Sequence, residues 1–195
     1  MTGQTVFFED QNMKIALLLA TGFEEIEALL PLDMLRRAGI DVQTVGIGGT
    51  AIQGAHGITV IADIEDVAAN PDEYNAVILP GGMPGATNLD ASDTCDAIIR
   101  AVCAKSGRLA AICAAPLVLG RKGLLKGKTA TCYPGFEDEL KGATVTSDSV
   151  VTDGNVTTAR GMGVALEFAK ELVRLFAGAD KAIALSRAIM EEQHV

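Results

Sequence analysis

The chain has 195 residues and a formal net charge of −9, and 49% of its residues are hydrophobic while 4% are aromatic. This length suits one well-filled α/β domain, and the acidic balance excludes the basic surface that a nucleic-acid-binding protein needs. No apolar run approaches the roughly 18 residues of a membrane-spanning helix, so we expect neither nucleic acid nor membrane as a partner.

The first twelve residues, MTGQTVFFEDQN, have neither a basic start nor a sustained apolar run, and so do not resemble a secretory signal. We interpret residues 1–12 as a flexible leader or an extension that precedes a natural start at Met13, and residues 13–195 as one domain. The four cysteines form no CxxC pair, which favours free thiols in a reducing cytoplasm.

From Met13 onward, short apolar segments typical of buried strands alternate with amphipathic segments typical of helices. The predicted strands occupy residues 14–20, 41–47, 57–63, 75–80, 108–112, 128–133, 143–147 and 150–159. The short strand 57–63 is a candidate hairpin strand, and the last has a turn at Asp153-Gly154. The predicted helices occupy residues 24–39, 92–105 (N-capped by Ser92), 115–123, 163–178 and 180 to about 193. This order predicts one doubly wound α/β domain whose mostly parallel sheet is covered on both faces.

Cys113 lies in the segment LAAICAAP, between a predicted strand and a predicted helix. Ligands bind at the carboxyl ends of parallel strands, and the partial positive charge of a helix N-terminus favours a thiolate. Ala114 and Ala115 allow a tight turn, and Pro116 suits a first helical turn. We interpret Cys113 as a reactive thiol, and the alternative is an inert cysteine in an alanine-rich core.

Glu27 lies in the first turn of the predicted helix 24–39, on the face that also carries Leu30, Pro31, Met34 and Ala38. A carboxyl group that faces a core needs a partner or becomes neutral. Because this helix follows the first strand, its start lies at the same sheet edge as Cys113. We therefore expect Glu27 to hydrogen-bond the thiolate or to act as a general acid or base, the alternative being simple compensation of the helix dipole.

The segment LPGGMPGA also follows a predicted strand, and glycine there lets the backbone approach a ligand closely. The N–H groups of Gly82 and Ala114 are together candidates for an oxyanion hole. The alternative is an ordinary glycine loop.

Two other patterns carry no site. The segment GLLKGKT is one residue short of a phosphate-binding loop and precedes a strand rather than a helix. His56 and His194 are the only histidines, which excludes a histidine-rich metal site, and the QGAHGI segment around His56 reads as a turn.

Four segments together resemble the ThiJ/PfpI superfamily, in the branch of the parkinsonism-associated deglycase: GFEEIEALLPLDMLRRAGI, AVILPGGMPGATNL, LAAICAAP and TTARGMGVALEFA. The resemblance implies a flavodoxin-like fold, a homodimer, and a site that needs no metal or other cofactor. It makes Cys113 the nucleophile and Glu27 its hydrogen-bonded partner. The other site residues that it implies are the backbone donors Gly82 and Ala114 and the pocket residues Glu24 and Arg160.

One position departs from the family. Many members have a histidine before the proline in the segment that matches TCYPG, and this chain has Tyr133. This difference is evidence against a Cys–His mechanism and against a peptidase function. His56 cannot be assumed to replace the missing histidine. The difference leaves Tyr133 as a hydrogen-bonding wall of the pocket, and makes Cys132 a candidate resolving thiol.

The resemblance implies a small-molecule or glycated-protein substrate, and three functions remain open. The first is a glutathione-independent glyoxalase or deglycase in which Cys113 attacks an α-oxoaldehyde and Glu27 moves the proton. The second is an oxidative-stress sensor or holdase chaperone that uses oxidation of Cys113. The third is a binding module whose cysteine is structural.

Overall fold

The computed structural model describes residues 13–190. The interpretation of residues 1–12 as a leader, and the end of the last predicted helix, therefore lie outside the described residues. Within this range the helices are α1 (Glu25–Arg37), α2 (Gly85–Asp90), α3 (Asp93–Ala104), α4 (Pro116–Arg121), α5 (Ala165–Ala177) and α6 (Ala179–Ala188). No helix in the described part of the chain is long and apolar enough to cross a membrane.

The strands of the described range are β1 (Lys14–Leu19), β2 (Asp41–Gly46), β3 (Ala51–Gln53), β4 (Thr59–Ile61), β5 (Ile64–Glu65), β6 (Ala76–Leu79), β7 (Arg108–Ile112), β8 (Thr129–Ala130), β9 (Thr144–Val145), β10 (Val150–Asp153) and β11 (Val156–Ala159). Seven of them form the central sheet in the order β10-β11-β7-β6-β1-β2-β5. All pairs in this sheet are parallel except β10 with β11. The predicted doubly wound α/β domain is confirmed.

Both faces of the sheet are covered, because its strands are apolar on both sides. One buried cluster joins alternate residues of β1, β6 and β7 to helices α2, α3 and α4. The other joins the intervening strand residues to α1, α5 and α6. This division explains why β1, β6 and β7 read in the sequence as continuous apolar runs.

Three local predictions needed correction. The strand predicted at residues 57–63 shortens to β4, which lies in an antiparallel hairpin with β3 as the sequence suggested, and this hairpin stands outside the central sheet. The strands predicted at 128–133 and 143–147 shrink to β8 and β9, which form a separate parallel pair. Helix α2 was not predicted, because its sequence GATNLD has no apolar periodicity.

The topology brings three chain segments to one edge. Strands β1, β6 and β7 are adjacent, and their carboxyl ends lead into α1, into the glycine loop after Leu79, and into Cys113. Ser92 caps α3 as expected, since its hydroxyl accepts a hydrogen bond from the N–H of Cys95 at 3.2 Å. The predicted site segments therefore meet where parallel α/β sheets bind ligands.

Candidate active site

Cys113 occupies a sharp bend between β7 and α4. Its φ is 65°, a left-handed conformation that is costly for a residue with a side chain. The bend is held on both sides, because the Cys113 N–H donates to the Ala159 carbonyl at 2.9 Å and its own carbonyl accepts from the Tyr133 N–H at 2.8 Å. Pro116 begins α4 as predicted. The backbone thus turns the thiol out of the strand at the sheet edge.

Glu27 reaches the same point from α1. Its residue is 1% exposed, and its Oε2 accepts a hydrogen bond from the Gly81 N–H at 3.0 Å. The Cys113 thiol is hydrogen-bonded to this carboxyl. Glu27 Oε1 is buried and, among the described residues, makes no well-formed hydrogen bond. A buried carboxyl oxygen without a strong partner favours a protonated side chain or an incoming ligand.

The two groups perturb each other's proton affinity. Burial, followed by the charge of Glu24, raises the pKa of Glu27 to about 7, although the hydrogen bond with Cys113 acts in the opposite direction. Burial and the negative charge of Glu27 raise the pKa of Cys113 to about 12. A proton held by either group therefore makes the other easier to ionise, which is the behaviour of a coupled pair.

This result reverses one expectation from the sequence. The N-terminus of α4 was expected to favour a thiolate, yet the pKa of Cys113 is displaced upward. Helix α4 has six residues, and a short helix offers little partial charge to set against burial and a neighbouring carboxylate. The backbone N–H groups of Gly82 and Ala114 do reach the sulfur and act to lower its pKa.

The glycine loop after β6 is shaped by close approach to both groups. A Cβ placed on Gly81 would lie 2.6 Å from Cys113 Cβ and 2.6 Å from Glu27 Oε2. Gly82 has a φ of 85°, and a Cβ there would lie 2.4 Å from the Glu24 backbone nitrogen. Neither position has room for a side chain.

Tyr133 and Gly161 form one side of the site. A Cβ on Gly161 would lie 3.3 Å from Tyr133 Cδ2 and 3.9 Å from Glu27 Oε1, so the tyrosine ring and the carboxyl approach the same backbone position. Tyr133 is half exposed. Arg160, between Ala159 and Gly161, is partly buried. Burial and the charge of Glu137 raise the pKa of Cys132 to about 11, and the charge of Arg160 opposes this shift.

A model of the DJ-1/PfpI family matches residues 13–175. The chain belongs to the DJ-1/PfpI family. It is 35% identical over 176 residues to Protein dj-1beta of Drosophila melanogaster, covering 89% of this chain and 94% of that protein. It is 32% identical over 166 residues to a deglycase of Pyrococcus abyssi, covering 84% and 99%. A structure of Toxoplasma gondii DJ-1, described as oxidized, superposes with a TM-score of 0.88 at 31% identity, covering 93% and 100%.

Cys132 and His56 are the two remaining sequence candidates of this DJ-1/PfpI chain. Cys132 packs in the cluster on the α3 side of the sheet, whereas Cys113 packs against the cluster on the α1 side. The residue after Cys132, Tyr133, donates its N–H to the Cys113 carbonyl at 2.8 Å, and a resolving role for Cys132 stays a prediction. His56 lies in a turn, as expected, and hydrogen-bonds Glu25 rather than the thiol.

One group of side chains in the described range has the composition of a metal site. A ligand atom from each of Glu24, Glu25 and His56 lies within 4.8 Å of the others. Both oxygens of Glu25 are already hydrogen-bonded to His56, so we assign no ion to this group. Catalysis without a metal or another cofactor remains a prediction.

The sequence did not single out Gly81, Gly161 or Glu25. Gly81 shares the PGG segment with Gly82, so a signal was present, but only the register of β1, β6 and β7 shows which glycine meets Glu27. The contact between Glu25 and His56 joins residues 31 positions apart, and no local pattern in the sequence marks it.

Proposed function

We propose that this DJ-1/PfpI-family chain is an enzyme that acts, without glutathione, on small α-oxoaldehydes or their adducts on proteins. The observation that carries the proposal is the buried Glu27 carboxyl against Cys113, with Oε1 lacking a strong partner. A carboxyl whose pKa is about 7 is matched to general acid–base work near neutral pH. The deglycase name of the Pyrococcus abyssi relative supports the same class of reaction.

The pair is proposed to hold one proton in its active form. When that proton lies on Glu27, Cys113 is a thiolate and attacks the aldehyde carbon of methylglyoxal. Glu27 gives its proton to the oxyanion that results, which yields a hemithioacetal and leaves Glu27 as a carboxylate. The N–H groups of Gly82 and Ala114, which reach the sulfur, lie close to the oxyanion that forms. Tyr133, Arg160 and Glu24 are proposed to line the substrate pocket.

Glu27 then completes the conversion by moving protons. Its carboxylate removes the hydrogen from the former aldehyde carbon, giving an enediol-like species, and returns a proton to the adjacent carbon. The product is a lactoyl thioester of Cys113. Water hydrolyses this thioester to lactate and restores the thiol, so methylglyoxal and one water give lactate and a proton. Every step uses Cys113, Glu27 and water, and we propose that no cofactor takes part.

Proton NMR of methylglyoxal without glutathione tests this function. We expect lactate from the wild type and none from Cys113→Ser. The matched control is Cys103→Ser, which changes another partly buried free cysteine and is expected to retain turnover. Lactate from Cys113→Ser at the wild-type rate would contradict the mechanism.

A redox function of the same residues is the second candidate, favoured by the oxidized form of the Toxoplasma gondii relative. In this hypothesis peroxide oxidises the Cys113 thiolate to a sulfenate and then a sulfinate, and protonated Glu27 donates a hydrogen bond to the sulfinate. We expect intact mass after mild peroxide treatment to show a gain of two oxygens on Cys113 in the wild type. A mass unchanged, or a gain spread over all cysteines, would contradict this function.

We also propose that the chain is a cytoplasmic homodimer. The four free cysteines fit a reducing compartment. Ile26, on the first turn of α1, and Ile58, whose N–H bonds Glu25, are both about half exposed, and we propose that they lie in one apolar patch at the dimer interface. Light scattering tests the dimer, and a monomer at micromolar concentration would contradict it.

A further inference from the structure

Helix α1 carries a second buried carboxylate that the proposed reaction does not use. Glu25 is 3% exposed, and both of its oxygens face the turn between β3 and β4. Oε1 accepts hydrogen bonds from the N–H of His56 at 2.8 Å and of Ile58 at 3.4 Å, and Oε2 lies 2.8 Å from His56 Nδ1. The Glu25 carboxylate therefore accepts hydrogen bonds that the turn between β3 and β4 would otherwise leave unpaired.

The turn is fitted closely around this side chain. A Cβ on Gly54 would lie 2.4 Å from Glu25 Oε1, so only glycine fits there. The flanking backbone is bonded as well, because the Gly22 N–H donates to Gln53 at 2.8 Å and the Ala55 N–H donates to Phe23 at 2.8 Å. The hairpin is thus docked on the segment that leads into α1.

Within one subunit, His56 covers the buried carboxylate, and its side chain is 71% exposed there. The hydrogen bond and charge of Glu25, with a smaller effect of Glu24, raise the pKa of His56. The hydrogen bonds from His56 and Ile58 lower the pKa of Glu25 despite its burial. Within its own chain, the charges that act on His56 are those of Glu25 and Glu24.

The same turn of α1 is connected to the candidate active site. Glu24 Oε2 accepts a hydrogen bond from the Glu27 N–H at 2.8 Å, and the Glu24 N–H donates to the Gly81 carbonyl at 2.9 Å. A displacement of this turn would therefore change the position of Glu27 relative to the glycine loop.

We propose that His56 and Glu25 form a proton-dependent latch that holds the β3–β4 turn against the first turn of α1, and so positions Glu24 and Glu27. With His56 protonated, the latch is an ion pair over a buried carboxylate. When His56 loses its proton, a hydrogen bond from Nδ1–H remains possible, but the compensating charge is lost. Both are positioning residues, and only the effect on turnover rests on the proposed function.

The sign of the pH dependence follows from linkage. Because the pKa of His56 is raised in the folded chain, the stabilisation is complete below the ordinary histidine value of about 6.5 and is lost as the pH rises through the folded value. The latch is therefore closed below about pH 6.5 and loosens as the pH rises through the raised pKa of His56.

Histidine NMR and amide hydrogen exchange test the latch without reference to activity. In a His194→Gln background His56 is the only histidine, so its titration is read from a single imidazole. We expect a midpoint above the ordinary value, which falls toward that value in Glu25→Gln. The protection of the His56 and Ile58 amides should decrease with rising pH. The total decrease should be tenfold for every pH unit between the His56 midpoint in the wild type and the ordinary histidine value.

Two surface variants complete the test, since Glu25→Gln could fail to fold. His56→Gln should show low protection at every pH, and His56→Arg, a permanent cation able to bond a carboxylate twice, should show high protection at every pH. An ordinary midpoint in the wild type, or equal protection in wild type and His56→Gln across the range, would overturn the latch.

An activity measurement then separates this inference from the proposed function. If methylglyoxal is turned over, the pH profile of kcat in His56→Arg should lack the decrease that latch opening causes in the wild type above the measured His56 midpoint. The exchange result decides the latch even where no turnover occurs, and a latch that holds without turnover would count against the proposed function alone.

Discussion

The Gly81 N–H donates to Glu27 Oε2 at 3.0 Å, so the loop after β6 and helix α1 are joined directly beside Cys113. This bond fixes one oxygen of the carboxyl and leaves the other, Oε1, without a strong partner. A carboxyl held in this way keeps one lone-pair direction fixed while the other oxygen is available to a proton or a substrate.

Gly81→Ala should damage the site through packing. The added Cβ would meet Cys113 Cβ, Glu27 Oε2 and the Ile112 carbonyl within 2.9 Å, and such overpacking costs about 1–3 kcal/mol. We expect that loss in urea unfolding, together with loss of methylglyoxal turnover.

Gly163→Ala is the control for this substitution, because a Cβ there has no neighbour within 4 Å. It should leave stability and turnover close to wild type. Equal effects of the two substitutions would show that the glycine loop is not specifically fitted to the site.

Glu27→Gln should remove a pH dependence of stability. Since the pKa of Glu27 is about 7 in the folded chain against 4.5 ordinarily, the folded state binds more protons between these values. The contribution of Glu27 to the free energy of unfolding, roughly 3 kcal/mol, is therefore complete below about pH 4.5 and is lost as the pH rises through 7. Urea unfolding from pH 5 to 8 should show this decrease in the wild type and not in Glu27→Gln.

Glu167→Gln removes an exposed carboxyl from the first turn of α5 and serves as the matched control. It should keep the wild-type pH dependence. A Glu27→Gln variant whose stability still falls in parallel with the wild type would show that another group titrates.

The left-handed backbone at Cys113 gives a prediction for stability. Its φ of 65° costs an L-residue about 1–2 kcal/mol, a cost that glycine avoids. Cys113→Gly should therefore unfold at higher urea than Cys113→Ala, by roughly 1 kcal/mol.

Ala111→Gly, two residues earlier on β7, supplies the comparison. Glycine in a regular strand is destabilising by roughly 0.5–1 kcal/mol relative to alanine, so this substitution should change stability in the opposite direction. A Cys113→Gly variant less stable than Cys113→Ala would contradict a strained bend.

Much of the fold could be predicted because it is encoded locally. Strands β1, β6 and β7 are continuous apolar runs, and α1 and α5 carry an apolar face. The errors lie where no local pattern exists, as in the six residues of α2 and the three of β3. These elements are fixed by neighbours distant in the sequence, such as the pairing of β3 with β4.

The site divides in the same way. Cys113 and Glu27 could be proposed from the order of the strands and helices, because parallel strands bring their carboxyl ends together. The direction of the Cys113 pKa could not, since it depends on burial and on the distance to the Glu27 charge. The pairing of Glu25 with His56 also required the folded hairpin.

Turnover should depend on pH through Glu27. The active pair holds one proton, so kcat/KM for methylglyoxal should rise with pH through an inflection at about 7, the pKa of Glu27, and in His56→Arg, where the latch stays closed, it should level off above that inflection. Glu27→Gln should lose this inflection and reduce the rate by about 10²–10⁴, the usual contribution of a general acid or base. A wild-type profile flat between pH 5 and 9 would exclude Glu27 from the reaction.

The most direct test of the central claim, that Cys113 and Glu27 share one proton, is the rate of Cys113 alkylation by iodoacetamide as a function of pH. Peptide mass spectrometry follows Cys113, with the partly buried Cys103 of the same chain as the internal reference. We predict an inflection near pH 7 in the wild type, where the pair loses its first proton, and its absence in Glu27→Gln. Superimposable Cys113 profiles for the two proteins would contradict the account.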